Sequence, residues 1–416
     1  MITIAIVLSG LLTASPLLQK SGDEEKSSRW LRGNTHTHTL WSDGDAPPET
    51  AIAWYVDHGY DFLVLSDHNL VQTGERWFDV SDDGRLTPAK VDAVKQRFSD
   101  APPELRVTEA GSQMRLRELD ELKSMFDRPG AFVLIPGEEV TSSHRLAQIH
   151  INAINVDETI PPARGDSVQG TLQANLDAIT AWGRKNDRPV LAHLNHPNFR
   201  KSLAASNLAQ MKGERFFEVY NGHRSVENER IGSRPSTEEM WDLAQIARLH
   251  GGAGDGGILY ALATDDAHDH YEKDAVSIPG RGWVMVRSDL HEPDAIVRAM
   301  LEGDFYASTG VALEDVRSDT SSLSIDIRTE PGVTYTTEFV GAMRSKDGKT
   351  PEPKILATST LDPAVYEFTG DELYVRARVT SSRAHPRPYR AGDLETAWTQ
   401  PIRTTSPPAT ADSPDQ

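Results

Sequence analysis

The chain of 416 residues contains no cysteine, so disulfides, iron–sulfur clusters and thiolate zinc sites are all excluded. Any metal it binds must be held by imidazole and carboxylate. Positive charge is scarce: 43 lysines and arginines stand against 62 aspartates and glutamates, a formal net charge of -19. The resulting field repels long polyanions and leaves no electrostatic footprint for nucleic acid. There is no haem-attachment signal and no glycine-rich dinucleotide fingerprint, which disfavours redox chemistry, and no internal repeat is evident. Long hydrophobic runs are missing apart from the opening MITIAIVLSGLLTASPLLQ. A spanning helix needs about 20 apolar residues, and Ser15-Pro16 breaks this run too early. The run fits the apolar and cleavage zones of a secretory signal over 1–20, although no Lys or Arg precedes it, with a polar linker over 21–30. A periplasmic or secreted protein with no stable membrane insertion after signal removal is the expectation.

What is present is 38% hydrophobic and 25% charged residues, ordinary for a folded soluble protein, in a chain long enough for one large core, or for one large domain plus a small one. From residue 33 to about 310, short apolar runs alternate with helix-like stretches, the pattern of β/α units around a largely parallel sheet or barrel. Candidate strands end at His36-His38, DFLVLSDHN (61–69), AFVLIPGEEV (131–140), IHINAINV (149–156), PVLAHLNHPN (189–198), FFEVYNGH (216–223) and GILYALATDDAH (257–268). Between them, PPETAIAWYVDHG opens on prolines suited to a helix start, and TLQANLDAITAWGRKN reads as a further helix. Residues 70–130 exceed one crossover. Their MRLRELDELKSMF steps its apolar residues by three and four, which predicts an inserted helical pair or lid. Beyond 315, ELYVRARVTS alternates strictly, with Leu373, Val375, Ala377 and Val379 on one face. That predicts half-buried antiparallel strands in a small β-rich C-terminal domain over 315–403, ending in a disordered tail over 404–416.

The stretch GNTHTHTLWSDGD (33–45) carries the first chemical signal. Alternate strand residues face the same way, so His36 and His38 point together, and Asp43 can curl back over them from the Ser42-Asp43-Gly44 turn. A single strand-end histidine is more often a rim or hydrogen-bonding residue than a ligand. Here, however, His, Asp or Glu closes nearly every predicted strand, and in a β/α barrel those ends converge on one face. His36, His38, Asp43, His68, Glu139, His150, His196, Asp266 and His268 are thus candidates for a multinuclear metal site.

In order, THTHTLWSDG, LSDHN, PGEEV, NHPN and TDDAH resemble the motifs of the polymerase and histidinol phosphatase (PHP) superfamily, over roughly residues 33–310. The nearest look is to secreted bacterial metallohydrolases, including the branch named after a carbaryl hydrolase. The resemblance implies an α/β fold, a distorted (β/α)7 barrel over 31–314, holding two or three divalent ions such as zinc, manganese or iron. It implies that His36, His38 and Asp266 bind a first ion, which Glu139 bridges to a second held by His150 and His196. A third ion takes Asp43, His68 and His268. In PGEEV either Glu138 or Glu139 could bridge; the family pattern favours Glu139, directly before the apolar residue. The D-x-H spacing of TDDAH selects Asp266 over Asp265. His193 is left as a packing or ligand-orienting residue, and Asp67, His144, His223 and His270 as orienting groups or exposed turn residues.

Adjacent divalent ions generate hydroxide near neutral pH and hold an electrophile in line with it, which makes hydrolysis of a small-molecule ester the expected reaction, with Glu139, Asp266 and His268 at its centre. Substrate anchoring is expected from rim cations: Arg145, Arg200, Lys201, Arg224 and above all Arg281, whose glycine neighbours let a guanidinium approach an oxyanion. A phosphoesterase is the first reading and a carboxyl or carbamate esterase the second. A non-catalytic binding protein is the third, disfavoured by the full ligand set. Amidohydrolase barrels also open on H-x-H, but bridge their metals with a modified lysine where this chain has Glu138-Glu139. Nothing in the sequence sets an oligomeric state.

Overall fold

Runs such as Phe62-Leu63-Val64 and Val133-Leu134-Ile135 offer water no polar side chain and form wholly buried strands. The computed structural model describes residues 29–345 and 347–404. The expected leader, the expected linker up to residue 28 and the expected tail from 405 lie outside them. β1 (Arg29–Asn34), α1 (Pro48–Asp57) and β2 (Phe62–Val64) open the fold. The insertion follows as β3 (Arg76–Val80), α2 (Pro88–Arg97), β4 (Leu105–Thr108), β5 (Gly111–Leu116) and α3 (Leu119–Phe126). Next come β6 (Val133–Ile135), β7 (Gly137–His144), β8 (Ala147–Ile154), α4 (Val168–Lys185), β9 (Leu191–Leu194), α5 (Ala205–Ala209), β10 (Phe216–Asn221), α6 (Thr237–Leu249) and β11 (Tyr260–Thr264). The chain continues through β12 (Trp283–Ser288), α7 (Pro293–Glu302), β13 (Phe305–Ser308), β14 (Leu313–Ser318) and β15 (Ser322–Ile327). It ends in β16 (Tyr335–Met343), β17 (Lys354–Ser359), β18 (Ala364–Glu367), β19 (Glu372–Ala384) and β20 (Leu394–Thr399).

The fold is mixed α/β with more strands than helices among the described residues, and it does not by itself establish the distorted (β/α)7 barrel that the resemblance implies. A nine-stranded sheet runs β17-β16-β19-β20-β13-β12-β1-β2-β6, and a five-stranded sheet runs β11-β10-β9-β8-β7. The two are linked by isolated parallel bridges at Thr37↔Ala267 and His68↔Glu139, so they close on each other at the donor-bearing strand ends. The β/α alternation breaks where only Arg145-Leu146 separates β7 from β8. Two residues suffice for a hairpin, whereas a parallel crossover needs a dozen or more. The pair is accordingly antiparallel from Gly137↔Ile154 to His144↔Ala147, with Arg145 at φ 56° in the turn. β8 also runs antiparallel to β9.

The insertion also departs from expectation. The expected helical pair or lid has two helices, α2 and α3, but also an antiparallel sheet, β3-β5-β4, that the sequence did not suggest. MRL of the supposed helix is drawn into β5 by pairing with both neighbours, and a capping box between Glu118 and Glu121 starts α3 afresh. Met114 and Leu116 from β5 pack with Leu40, Trp41 and Leu86, while Arg85 donates to the carbonyls of Ser42 and Gly44 at 2.9 Å each. This module therefore holds the turn that carries Asp43.

The strands beyond residue 315 do not stand as a separate sheet. β20 pairs with β13, which pairs with β12, so one sheet runs across the boundary expected at 314/315; only β14, β15 and β18 form a sheet of their own. Arg376 of β19 is fully buried against α6, with Nε on Asp242 at 3.0 Å and Nη2 on Asp242 and Glu238 at 2.8 Å each. Among the described residues no helix is long and apolar enough to cross a membrane.

Candidate metal centre

Seven separate segments deliver the donors. His36 and His38 follow β1, and Asp43 sits in the next turn; His68 follows β2. Glu139 lies on β7 and His150 on β8, His196 follows β9, and Asp266 and His268 follow β11. Two of these positions carry positive φ, His196 at 24° and Asp266 at 50°. Non-glycine residues in that region are uncommon and cluster at functional sites.

The donor atoms converge. Two atoms about 2.1 Å from one ion stand about 3.0 to 3.4 Å apart for angles between octahedral and tetrahedral. His36 Nε2 is 3.1 Å from His38 Nε2 and 3.1 Å from Asp266 Oδ1, and His38 Nε2 is 3.3 Å from that same oxygen. Glu139 Oε1 lies 3.6 Å from His36, 3.0 Å from His150 Nδ1 and 3.5 Å from His196 Nε2. Its Oε2 lies 2.6 Å from His68 Nδ1 and 3.6 Å from His38 Nε2. Asp43 faces His68 Nε2 at 3.4 Å and His268 Nε2 at 3.3 Å. Four overlapping groups result: His36/His38/Glu139, His36/His196/Asp266, His68/Glu139/His150 and His38/Asp43/His68/His268. All nine expected donors are thus brought together. His38 also faces the Asp43 group through Nδ1, at 3.5 Å, a sharing the sequence did not suggest.

The electrostatics suit cations. Burial pushes the Glu139 and Asp266 carboxyls up, but the surrounding histidines hold both well below the usual carboxylate range. His38 is lowered to about 4, by burial first and then by His268 and His68. His36 is buried too, yet Asp266, Glu218 and Glu139 raise it well above its ordinary value. Ionised carboxylates and crowded imidazoles are the donor set for borderline divalent ions, and protons on the raised histidines are what an incoming ion displaces. On donor chemistry and spacing, the residues fit such ions.

The two sequence ambiguities have a geometric answer: Glu138 and Glu139 are neighbours on β7 and face opposite ways, and Asp265 and Asp266 diverge just beyond β11, where Asp266 takes a positive φ. Glu138 turns from the centre to accept the Ile160 N–H, and burial raises it to about 7. Asp265 accepts the N–H groups of Gly280, Arg281 and Gly282 and the Tyr55 hydroxyl. Asp67 ties the His38–Ser42 turn to β2, accepting from Thr39 and Ser42.

Arg281 is a correction. Its side chain is fully buried, with Nη1 donating to Gly222 O and Val276 O at 2.6 Å each and Nη2 to Ala275 O at 3.1 Å; burial lowers it to about 10. The flanking glycine does not open a path to an anion. A Cβ on Gly282 would lie 2.8 Å from Tyr220, so the glycine serves close packing. Arg224 is likewise spent on carbonyls of Tyr389, Asp274 and Pro388. The buried Arg281 guanidinium is not available to a substrate.

Glu218, in the middle of the apolar strand β10, was not singled out from sequence. It is buried, and its Oε1 accepts from His36 Nδ1 at 2.7 Å and from Thr264 Oγ1 at 2.8 Å. Its Oε2 accepts from the His196 N–H at 2.7 Å and from Asn221 Nδ2 at 2.8 Å. Such a carboxylate fixes the tautomer of a ligating histidine. The available signal was an acid inside an otherwise apolar strand.

A cavity of about 220 Å3 opens onto the centre; His36 and His38 are buried behind it, the other expected donors line it, and Phe199, His223 and Val226 complete the wall. A larger groove of about 580 Å3 lies between α6 and the β16–β19 face, with Arg376 and Arg378 already paired to Glu238, Asp242 and Glu338.

Fold and site together define an α/β protein with a clustered histidine–carboxylate centre suited to divalent cations. No protein-family model matches the chain, and no curated protein does either. Similar solved structures include a two-domain protein from Bacteroides vulgatus, described as containing a predicted PHP-like metal-dependent phosphoesterase. It is 15% identical, with 90% of this chain and 96% of that chain covered and a TM-score of 0.39. A Bifidobacterium adolescentis protein provisionally described as a metal-dependent phosphoesterase is 14% identical, covering 65% of this chain and 94% of that one, with a TM-score of 0.31. An amidohydrolase from Chromobacterium violaceum, with bound sulfate and no metal, is 13% identical, covering 59% and 92%, with a TM-score of 0.27. Likeness at this level assigns no function, which has to be read from the side chains themselves.

Proposed function

We propose that the chain is a metal-dependent hydrolase of small esters, with phosphate mono- or diesters as the first substrate class and two or three zinc, manganese or iron ions as cofactors. The observation that carries this reading is Glu139, whose two oxygens face different histidine groups, Oε1 towards His150, His196 and His36 and Oε2 towards His68 and His38. A structural carboxylate has no need of five imidazoles. Divalent ions held there would supply a Lewis acid for the ester oxygen and a hydroxide nucleophile from water near neutral pH. Asp266 and Glu139, held ionised, would keep such ions in place. Asp43, whose side chain is 54% exposed, sets the His68/His268 group at the mouth, where an incoming phosphate would meet it first.

A carboxyl or carbamate ester is the second reading, favoured by one observation: among the described residues the cavity wall has no lysine or arginine, and Phe199 and Val226 give it an apolar side. Stripping the protein with chelator and restoring Mn, Zn or Fe should abolish and recover hydrolysis of 4-nitrophenyl phosphate or bis(4-nitrophenyl) phosphate. Faster turnover of an aryl carbamate would select the second reading. No turnover of any ester with any ion would overturn both.

A further inference from the structure

With Arg224 and Arg281 committed to backbone carbonyls, the cavity must meet the charge of a substrate oxygen with something else. Among the described residues, three wall residues lie outside the donor set: Phe199 and Val226 are apolar, and His223 alone has a polar side chain. Its Nδ1 accepts the backbone N–H of Ser225 at 3.1 Å. A nitrogen used as an acceptor carries no proton, so in the neutral ring the proton sits on Nε2. The protonated ring carries one there too. Nε2 has no hydrogen-bond partner among the described residues, and the ring lies edge-on to His268, 5.5 Å between centroids.

The position of this ring is tied to the centre from both sides. The His223 N–H donates to Asn221 Oδ1 at 2.9 Å, and Asn221 Nδ2 donates in turn to Glu218 at 2.8 Å and Asp266 at 3.1 Å. On the other side Arg224 fastens the chain to the 388–389 segment. A donor placed by such a frame needs little reorganisation to meet charge developing on a bound oxygen.

We infer that His223 is a substrate-binding residue, its Nε2–H donating a hydrogen bond to an ester or phosphate oxygen held in the cavity. This rests on the reading of the cavity as a hydrolytic site. It assigns a role to a residue that sequence left between an orienting group and an exposed turn.

The test uses the full chain reconstituted with Mn or Zn, titrated calorimetrically with inorganic phosphate, comparing wild type with His223→Phe and His223→Gln. The glutamine amide nitrogen occupies the place of Nε2 and remains a donor. The Phe variant should bind phosphate on the order of ten- to a hundredfold more weakly at unchanged metal content, the loss expected for one hydrogen bond to a charged group. The Gln variant should recover most of that affinity. Phosphate affinity unchanged in His223→Phe overturns the inference, as does a loss that tracks lost metal or a metal-loaded wild type that ignores phosphate. Nitrogen-15 NMR of the metal-free wild type decides independently: an Nε2–H tautomer supports the inference and an Nδ1–H tautomer overturns it. Failure of the metal reading would show separately, as a wild-type chain that retains no ion.

Discussion

Replacing Glu218 with glutamine should weaken metal binding without touching a ligand. The carboxylate accepts two hydrogen bonds on each oxygen, from His36 and Thr264 on one and from the His196 N–H and Asn221 on the other. Glutamine has one accepting oxygen. The His196 donor is backbone and cannot reverse, so the amide oxygen must face it and the NH2 must face His36. Met by a donor, His36 Nδ1 becomes an acceptor, its proton moves to Nε2, and the lone pair 3.1 Å from Asp266 is lost to an ion. Removing such an orienting partner typically costs about 10–100-fold in metal affinity, or about 1.4–2.8 kcal/mol. Zinc titration against a competing chelator, with thermal unfolding in chelator to show that the fold persists, measures it. A Glu218→Gln protein that binds zinc within about twofold of wild type refutes the reasoning.

Two further outcomes separate structural from chemical roles. Arg281→Ala removes three guanidinium–carbonyl contacts and should lower unfolding stability in urea by about 3–5 kcal/mol while leaving KM unchanged below the transition; a substrate anchor would instead raise KM sharply. Glu214 is buried beside Thr180, and burial raises its pKa from the ordinary 4.5 to about 7. Because the native state binds this proton more tightly, the group costs nothing below pH 4.5, and its penalty grows through pH 7 to about 3 kcal/mol. Glu214→Gln should therefore be more stable than wild type by up to that amount at pH 8 and indistinguishable from it at pH 4; equal stability at pH 8 would count against the burial argument.

Much of the donor set was legible because several ligands follow a local apolar run, ALA ahead of Asp266, LVL ahead of the His68 loop and VLI ahead of Glu139, whereas His150 stands near the start of its run. Their order along the chain carried the rest. What sequence did not carry was non-local pairing. GEEVTSSH and AQIHINAI each look like one more β/α unit, and only the two-residue link at Arg145-Leu146 marks them as a hairpin. The helical spacing of MRLRELDELKSMF held for LDELKSMF, which forms α3, and lost only at MRL, to strand pairing on both edges of β5. Arg281 misled for a related reason: Gly282 reads equally as room for a ligand or as room for Tyr220, and packing took it.

The most direct test is element-specific anomalous scattering from crystals of protein purified without chelator. Two or three peaks are expected, one about 2.1 Å from the Nε2 atoms of both His36 and His38 and a neighbour sharing the Glu139 carboxylate. No peak, or peaks remote from Glu139, would contradict the assignment of this centre to metal-dependent hydrolysis.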